Sequence, residues 1–326
     1  MPKGAWWQGG RDGWAGMGWD GWQDADDVRL RLEQGADPER WSGGRPLHRA
    51  AVFGSPGAVA ELARWVADVD AVEYGGTALW EAVLAGRADN ARALADAGAD
   101  PWRPLIGGWS PGRLALAGPG PGLFALPGGE PGLTDAEHAT AEEGRRLLGA
   151  LGSFHHEGIG LACVAGIDAR EAVRRLEAAP ADDEEMAELM ADPYAYDLEE
   201  IRPFVGVTTV PGGCVVTQPW GYAPSMPGVH TRLSAGTVSY GLYANPKSGN
   251  QGSVARDGVI EGWDLHPSGR PAPDASAEEV FASCLYRLSP VAYSCAFVGL
   301  RPADARAVVG PPDLWVELPE RDYWGT

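Results

Sequence analysis

A tetrapeptide that recurs at a nearly constant interval decides how the first third of this chain folds. It reads Gly-Ala-Asp-Pro at residues 35–38, Val-Ala-Asp-Val at residues 66–69 and Gly-Ala-Asp-Pro again at residues 98–101. Successive copies lie 31 and 32 residues apart. A fixed period of this length is typical of proteins built from stacked structural repeats. The sequence therefore predicts a stack of similar units in this region.

A second landmark keeps the same register and places the helices within each unit. Arg-Pro-Leu-His at residues 45–48 corresponds to Thr-Ala-Leu-Trp at 77–80 and, more loosely, to Ser-Pro-Gly-Arg at 110–113. Each opens a short predicted helix, and Gly54 and Gly86 end the first two. A second helix follows in each full unit. The predicted helices cover residues 25–34, 47–53, 58–65, 79–85, 89–97 and 112–117.

The order of these landmarks resembles that of ankyrin repeats. That family combines a Thr-Pro-Leu-His-like helix start, a glycine turn, a second helix and Gly-Ala-Asp before a hairpin. The resemblance implies units that cannot bury their apolar faces alone and therefore stack. His48 resembles the family's structural histidine, which ties adjacent turns together. Arg45 replaces the family's threonine and Trp80 its histidine, so we expect a weakened stack.

The second half of the chain is rich in predicted strands and not in helix pairs, which indicates a different domain. Strand-like segments dominate from about residue 152, and Pro-Gly-Gly at 211–213 and Asp-Gly at 257–258 are good hairpin turns. This half also resembles an uncharacterised actinobacterial family in short motifs, including Gly-Cys-Val-Val at 213–216 and Leu-Ser-Ala-Gly-Thr at 233–237. That resemblance implies an α+β domain built on an antiparallel sheet and carries no established activity.

The expected fold class is therefore multidomain: an all-α ankyrin repeat stack followed by an α+β domain with an antiparallel sheet. The tryptophans among the glycines of the first residues either cap the first repeat from a flexible leader or form an arm that docks on a partner. The expected boundaries are a Trp/Gly-rich leader at 1–19, repeats at 20–118, a Gly/Pro linker at 119–134 and the α+β domain at 135–326.

Charge and composition restrict the class of partner. The formal net charge is −19, which repels polyanions and argues against direct nucleic-acid binding. The same field would speed the encounter with a basic protein. No apolar run is long enough for a membrane span, the N-terminus has no signal-peptide core, and the four cysteines have no CxxC spacing. We expect a cytoplasmic protein with buried thiols. Only two of the 26 basic residues are lysines, a bias typical of GC-rich genomes such as those of actinobacteria.

The ankyrin resemblance also implies where a protein partner would bind. In that family the hairpin tips and the inner ends of the first helices line one concave surface. Exposed aromatic residues are favoured anchors at interfaces. The alternative is that the aromatic residues pack within the chain itself. The positions transferred by register are Trp41, Ser42, Phe53, Glu73, Tyr74, Leu84, Ile106 and Trp109.

Signals for catalysis are missing from the sequence. It has no phosphate-binding loop and no HExxH, so we expect no cofactor and no metal. His-His-Glu at 155–157 is interpreted as a solvated loop. The leading hypothesis is a protein-binding adaptor, and its specific version is an immunity-type inhibitor of a basic partner. The alternative is an enzyme with an unrecognised site in residues 152–326, lined by residues such as Thr217, Gln218, Tyr222, Tyr240 and Asn245.

Overall fold

The computed structural model describes residues 13–18, 20–118, 122–192 and 203–325. The chain forms two compact units, and neither is continuous in sequence. Unit 1 comprises Met1–Ala141 and Arg270–Arg287, whereas unit 2 comprises Glu142–Gly269 and Leu288–Thr326.

The expected fold class is wrong about where residues 270–287 belong. A repeat stack that ends before a separate α+β domain would leave residues 270–287 in the second domain, but they complete the first unit. The described residues contain thirteen α-helices and one eight-stranded antiparallel sheet. The coarser order holds: helices come first along the chain and a sheet region follows, as in an α+β arrangement.

Unit 1 is built from pairs of short helices that begin at strong N-terminal signals. Ser55 and Thr77 cap their helices through side-chain oxygens that accept backbone N–H bonds, and Pro46 occupies a first-turn position that needs no N–H donor. These local signals reproduce the predicted helix pairs. The helices are α1 (Ala25–Glu33), α2 (Pro46–Phe53), α3 (Pro56–Trp65), α4 (Ala78–Leu84), α5 (Ala88–Asp96), α6 (Pro111–Ala117) and α11 (Ala277–Leu285). A further helix, α7 (Asp135–Leu151), begins in unit 1 and continues into unit 2.

Side-chain hydrogen bonds join the α2–α3 pair to the α4–α5 pair. His48 is buried, and its Nε2 lies 3.1 Å from the Gly76 carbonyl oxygen, which confirms the predicted tie between adjacent turns. Asn90 is also buried and donates from Nδ2 to the carbonyls of Ala51 and Gly54, both at 3.0 Å. These bonds satisfy carbonyls at the C-terminus of α2, where the helix leaves its last acceptors unpaired.

Tryptophans close the N-terminal end of unit 1. Trp14 and Trp22 are buried with ring centroids 5.3 Å apart, and Trp22 packs edge-on against Trp41 at 5.5 Å. Trp14 also donates from Nε1 to the Asp37 carbonyl at 2.7 Å. For Trp14 and Trp22, the prediction that these tryptophans cap the N-terminal end of the helix pairs is confirmed. Trp6, Trp7 and Trp19 lie outside the described residues.

Unit 2 is organised around the sheet, whose strand order is β2-β8-β3-β4-β1-β5-β6-β7. The β6–β7 hairpin turns at Asp257 and Gly258, which have φ of 50° and 79°, as an Asp-Gly hairpin requires. The strands are β1 (Gly160–Ala165), β2 (Ala179–Pro180), β3 (Phe204–Val210), β4 (Gly213–Gln218), β5 (Val238–Asn245), β6 (Gly249–Arg256), β7 (Val259–Leu265) and β8 (Leu314–Glu317).

Helices cover both faces of the sheet. On one face, α8 (Ala169–Leu176) and α10 (Pro227–Leu233) share an apolar core with alternate residues of β1, β3 and β4. On the other face, α12 (Pro290–Phe297) brings the buried Cys295 Sγ to 3.6 Å from Cys163 Sγ. All four cysteines are free, and three of them are buried. The remaining helices are α9 (Asp183–Ala191) and α13 (Arg306–Val309).

One sequence prediction in this unit is wrong. The apolar run of residues 292–300 predicts a strand from the sequence alone, but most of its residues belong to α12. Short apolar runs cannot be assigned to a strand or a buried helix by periodicity alone. Pro290 at the first turn favours the helix.

We predict that Asn90→Ala lowers the free energy of unfolding by about 1–3 kcal/mol, because it leaves buried carbonyls of α2 and its loop without a donor. Urea denaturation would measure this. The matched control is Asp89→Ala, which removes an exposed ion pair with Arg92 and should cost less than about 1 kcal/mol. Equal losses for the two variants would contradict the assignment of Asn90 as a link between the α4–α5 pair and α2.

Candidate functional site

The first two hairpin tips keep part of the predicted binding face on the surface. Trp41 and Phe53 are half-buried, and the Arg49 guanidinium lies 5.4 Å from the Trp41 ring and 4.7 Å from the Phe53 ring. Cation–π contacts of this length hold an arginine over aromatic rings. Ser42 is exposed beside them. Trp41, Arg49 and Phe53 therefore form one preorganised surface cluster.

The second tip lies directly against the first. The Glu73 carboxylate accepts a hydrogen bond from the Arg45 backbone N–H, at 3.1 and 3.3 Å to its two oxygens. Tyr74 follows at the apex, with 70% of its side chain exposed and φ of 49°. The Arg270 guanidinium lies 5.6 Å from the Tyr74 ring. We call Trp41, Arg49, Phe53, Tyr74 and Arg270 the tip patch.

Three predicted binding residues are not available to a partner. Leu84, Ile106 and Trp109 are only 3%, 3% and 2% exposed. Their surface is covered by the returning segment 270–287, which brings α11 against them. Their assignment to the binding face is therefore wrong.

Trp109 shows how closely the returning segment fits. Its ring stacks on Phe281 with centroids 4.8 Å apart and planes 6° apart. Its Nε1 donates to the Ala277 carbonyl at 2.9 Å, and the Arg113 guanidinium lies 4.3 Å from its ring centroid. A side chain with these contacts is part of the core of unit 1.

An ion pair secures the start of the returning segment. Arg270 Nη2 lies 2.7 Å from Glu81 Oε1, although the approach is not directed well enough for a hydrogen bond. The same nitrogen donates to the Glu73 and Tyr74 carbonyls at 3.0 and 3.3 Å. Burial raises the pKa of the Glu81 carboxyl, and Arg270 and Arg287 oppose that shift. Arg270 therefore joins the segment to the second tip.

A second candidate site is a cavity of about 380 Å³ in unit 2. Four aromatic side chains and three neutral polar ones line it: Tyr222, Tyr243, Trp263, Trp324, Ser225, Gln251 and Ser253. Of the pocket residues named from the sequence, Tyr222 alone lies among these lining residues.

Two of the other named residues, Gln218 and Tyr240, make contacts within the fold. Gln218 is buried, donates to the Phe204 carbonyl and accepts from the Ala223 N–H, both at 2.9 Å. Tyr240 packs against α12 on the other face of the sheet, 5.0 Å from the Phe297 ring.

A buried histidine lies behind the wall of this cavity. The position that a Cβ would take at Gly241 is 3.1 Å from His230 Nε2, 2.7 Å from Ser253 Oγ and 3.3 Å from Ser225 Cα. His230 is fully buried, and neither its ring nitrogens nor Ser253 Oγ has a hydrogen-bond partner among the described residues. Burial lowers the pKa of His230 to about 4. At neutral pH this imidazole is uncharged and offers one donor and one acceptor.

Nothing in the sequence around His230 distinguishes it from an ordinary core histidine. It lies in a short helix, and the residues that approach it, Gly241 and Ser253, come from β5 and β6. No local motif carries this arrangement, because the strand pairing of Gly241 with Ser253 creates it.

The described part of the chain shows neither a metal-ligand cluster nor a membrane-spanning helix. It contains no group of three or more histidine, cysteine, aspartate or glutamate residues arranged to hold a metal ion. Within the same ranges, no helix has the length and apolar character needed to cross a bilayer.

Comparison with known proteins adds no assignment. No family model matches the sequence, and none of the curated proteins matches it. The resemblances to ankyrin repeats and to an actinobacterial family therefore stay predictions.

We predict that His230 makes the fold less stable as the pH falls from about 6.5 to about 4. The ordinary pKa of 6.5 applies to the unfolded chain, and burial lowers the folded value to about 4, so the unfolded state binds the proton first. Stability that is fully present above pH 6.5 is then lost through this window, by about 3 kcal/mol.

Urea denaturation of the wild type and of His230→Gln at pH 7, 5.5 and 4 would measure this contribution. The wild type should lose more stability with falling pH than the variant. Parallel pH profiles would contradict a buried, neutral His230.

Proposed function

We propose that this protein is a binding protein that captures a protein partner through the tip patch. The observation that carries the proposal is Tyr74. A bulky residue with positive φ is a backbone outlier that costs about 1–3 kcal/mol, and here it leaves 70% of an aromatic side chain in solvent. Such strain is retained mainly where a site requires it.

The composition of the tip patch supports the same proposal. Tryptophan, tyrosine and arginine are the residue types most enriched among the residues that dominate binding energy. Arg49 is held over two rings, and Arg270 is held by Glu81 and two carbonyls. Side chains that are already ordered lose less entropy when a partner binds.

The overall charge favours a basic partner. The net charge is −19, and the nearby cations have local counter-ions, since Arg45 pairs with Glu39 and Arg270 with Glu81. The acidic field would steer a basic protein towards the surface, and the rings would provide the contact area. An adaptor or an immunity-type inhibitor of a basic partner fits this chemistry.

The enzymatic alternative has weaker support. His230 is the most perturbed candidate base in unit 2, but none of the described carboxylates or hydroxyls forms a hydrogen bond with it. A general base or an activated nucleophile needs such a partner. We therefore make no proposal of catalysis at this position.

We predict that Tyr74→Asn weakens partner capture at least tenfold without lowering stability. Asparagine tolerates positive φ, so the variant keeps the turn while it removes the ring. The wild type, Tyr74→Asn and Trp65→Ala would be used as baits in the native host, with quantitative mass spectrometry and a melting curve for each.

Trp65 is the matched control, because it is a 46% exposed aromatic residue of the same unit outside the tip patch. The proposal requires at least one protein that the wild type and Trp65→Ala retain and that Tyr74→Asn loses. Identical captures by all three baits would contradict it.

We further predict that the association rate with that partner falls as salt rises. A tenfold or greater decrease between about 0.05 and 0.5 M NaCl is expected if the acidic field steers the encounter, because the Debye length shrinks from about 14 to about 4 Å. Stopped-flow mixing would give both rates. A salt-independent association rate would remove the argument for a basic partner, even if Tyr74 proved essential.

A further inference from the structure

The two edges of the sheet in unit 2 differ in how well they are protected. One edge is β2, which has only two residues and ends in a proline. The other edge is β7 (Val259–Leu265), which has seven residues and contains no proline, lysine or arginine. None of the described strands pairs with the outer side of β7. Proteins usually shorten such edges or block them with proline or lysine, because unpaired backbone groups attract other strands.

Exposed apolar side chains accompany the free backbone edge of β7. Val259, Trp263 and Leu265 expose 63%, 50% and 37% of their surfaces. A strand added to this edge would cover part of that apolar surface and would satisfy the outward N–H and C=O groups at the same time. The edge of β7 therefore has the features of a surface that accepts an additional strand.

The shape of this edge limits the length of strand that it can accept. The pairing of β6 with β7 shifts register between Gly252 and Val254, and again between Val254 and Ala255. Register shifts of this kind bend a strand and increase its twist. The edge of β7 consequently fits a short extended segment better than the long, regular edge of another sheet.

Charge indicates that the added segment is basic. The sequence of β7 contains two acidic residues and no basic one, and the whole chain has a net charge of −19. A second copy of the chain would bring the same net charge and would be repelled, whereas a basic segment would be attracted. Glu261 pairs with Arg256 of β6 at 3.2 Å, but both side chains are 48% exposed. An ion pair this exposed is weak, so the carboxylate stays accessible to a basic partner.

Trp263 indicates which basic side chain the edge would prefer. It is half-exposed, and its ring borders the aromatic cavity of unit 2. A residue directly opposite Trp263 on an added strand would have its Cβ about 4.5–5.5 Å from the tryptophan Cβ. From there a cationic side chain can lie over the indole ring. Tryptophan is the aromatic residue that attracts cations best, and arginine takes this position more often than lysine does.

We propose that the free edge of β7 binds a short, extended, basic segment of a partner protein as an additional strand, with an arginine over Trp263. Backbone hydrogen bonds would hold the segment, and the contacts with Trp263 and Glu261 would select its side chains. This surface is independent of the tip patch, because β7 belongs to unit 2. The two proposals can therefore fail separately.

Isothermal titration of peptides into the full chain would test the proposal. The probe is the peptide Thr-Arg-Val-Arg-Val-Arg-Thr with blocked termini. One comparison peptide carries N-methyl groups on its five central amides, which removes hydrogen-bond donors but keeps the charge. The other has glutamate in place of each arginine. The probe should bind at least about tenfold more tightly than either one. Failure of the probe to bind, or equal binding of a comparison peptide, would overturn the proposal.

Hydrogen exchange measured by mass spectrometry would locate the bound peptide. Unpaired amides of an edge strand exchange rapidly and slow down when a strand covers them. Residues 259–265 should gain protection with the probe and not with its N-methylated form. Protection confined to other segments would contradict the assignment to β7. Light scattering that shows a dimer, with β7 already protected in the free chain, would instead assign this edge to a second copy and overturn the proposal.

Variants of the exposed side chains test the two selective contacts. Trp263→Ala should weaken binding of the probe at least about tenfold, and Glu261→Gln at least about twofold. The matched controls are Trp65→Ala, which removes an exposed tryptophan of unit 1, and Glu184→Gln, which makes the same charge change at an exposed position of α9. Both controls should bind the probe as the wild type does, and melting curves would verify that each variant folds. Wild-type binding by both β7 variants would refute the proposed contacts.

Discussion

The stacking of Trp109 on Phe281 is the interaction on which the architecture of unit 1 depends. It joins residues 172 positions apart, and the bond from Trp109 Nε1 to the Ala277 carbonyl fixes the orientation of the ring. Because α11 packs there, the region around Trp109 is a buried core and not a free surface. The returning segment 270–287 consequently covers the C-terminal part of the concave surface that a repeat stack is expected to have.

That occupation limits where a partner can bind. The two N-terminal tips keep their aromatic residues at the surface, and the returning segment contributes Arg270 to them. The same segment thus covers one part of the predicted face and completes another. The proposed interaction surface is assembled from two distant parts of the chain, although the repeat pattern belongs to the first part alone.

Unit 2 depends on a different constraint, which is the close packing around Gly241. A helix and two strands meet there, and a side chain at that position would overlap Ser253 Oγ at 2.7 Å. The glycine permits this close approach and leaves two polar atoms without partners next to an aromatic cavity. Buried polar groups of this kind are unfavourable for stability.

The sequence by itself determined the features that consecutive residues encode. The 31- and 32-residue spacing, the caps at Ser55 and Thr77 and the Asp-Gly turn before Val259 act over a few residues, so the helix pairs and hairpins were predictable. Only the tertiary structure decided that residues 270–287 return to unit 1 and that His230 lies behind a cavity. Both follow from the complementarity of surfaces distant along the chain, for which a single sequence contains no periodic signal.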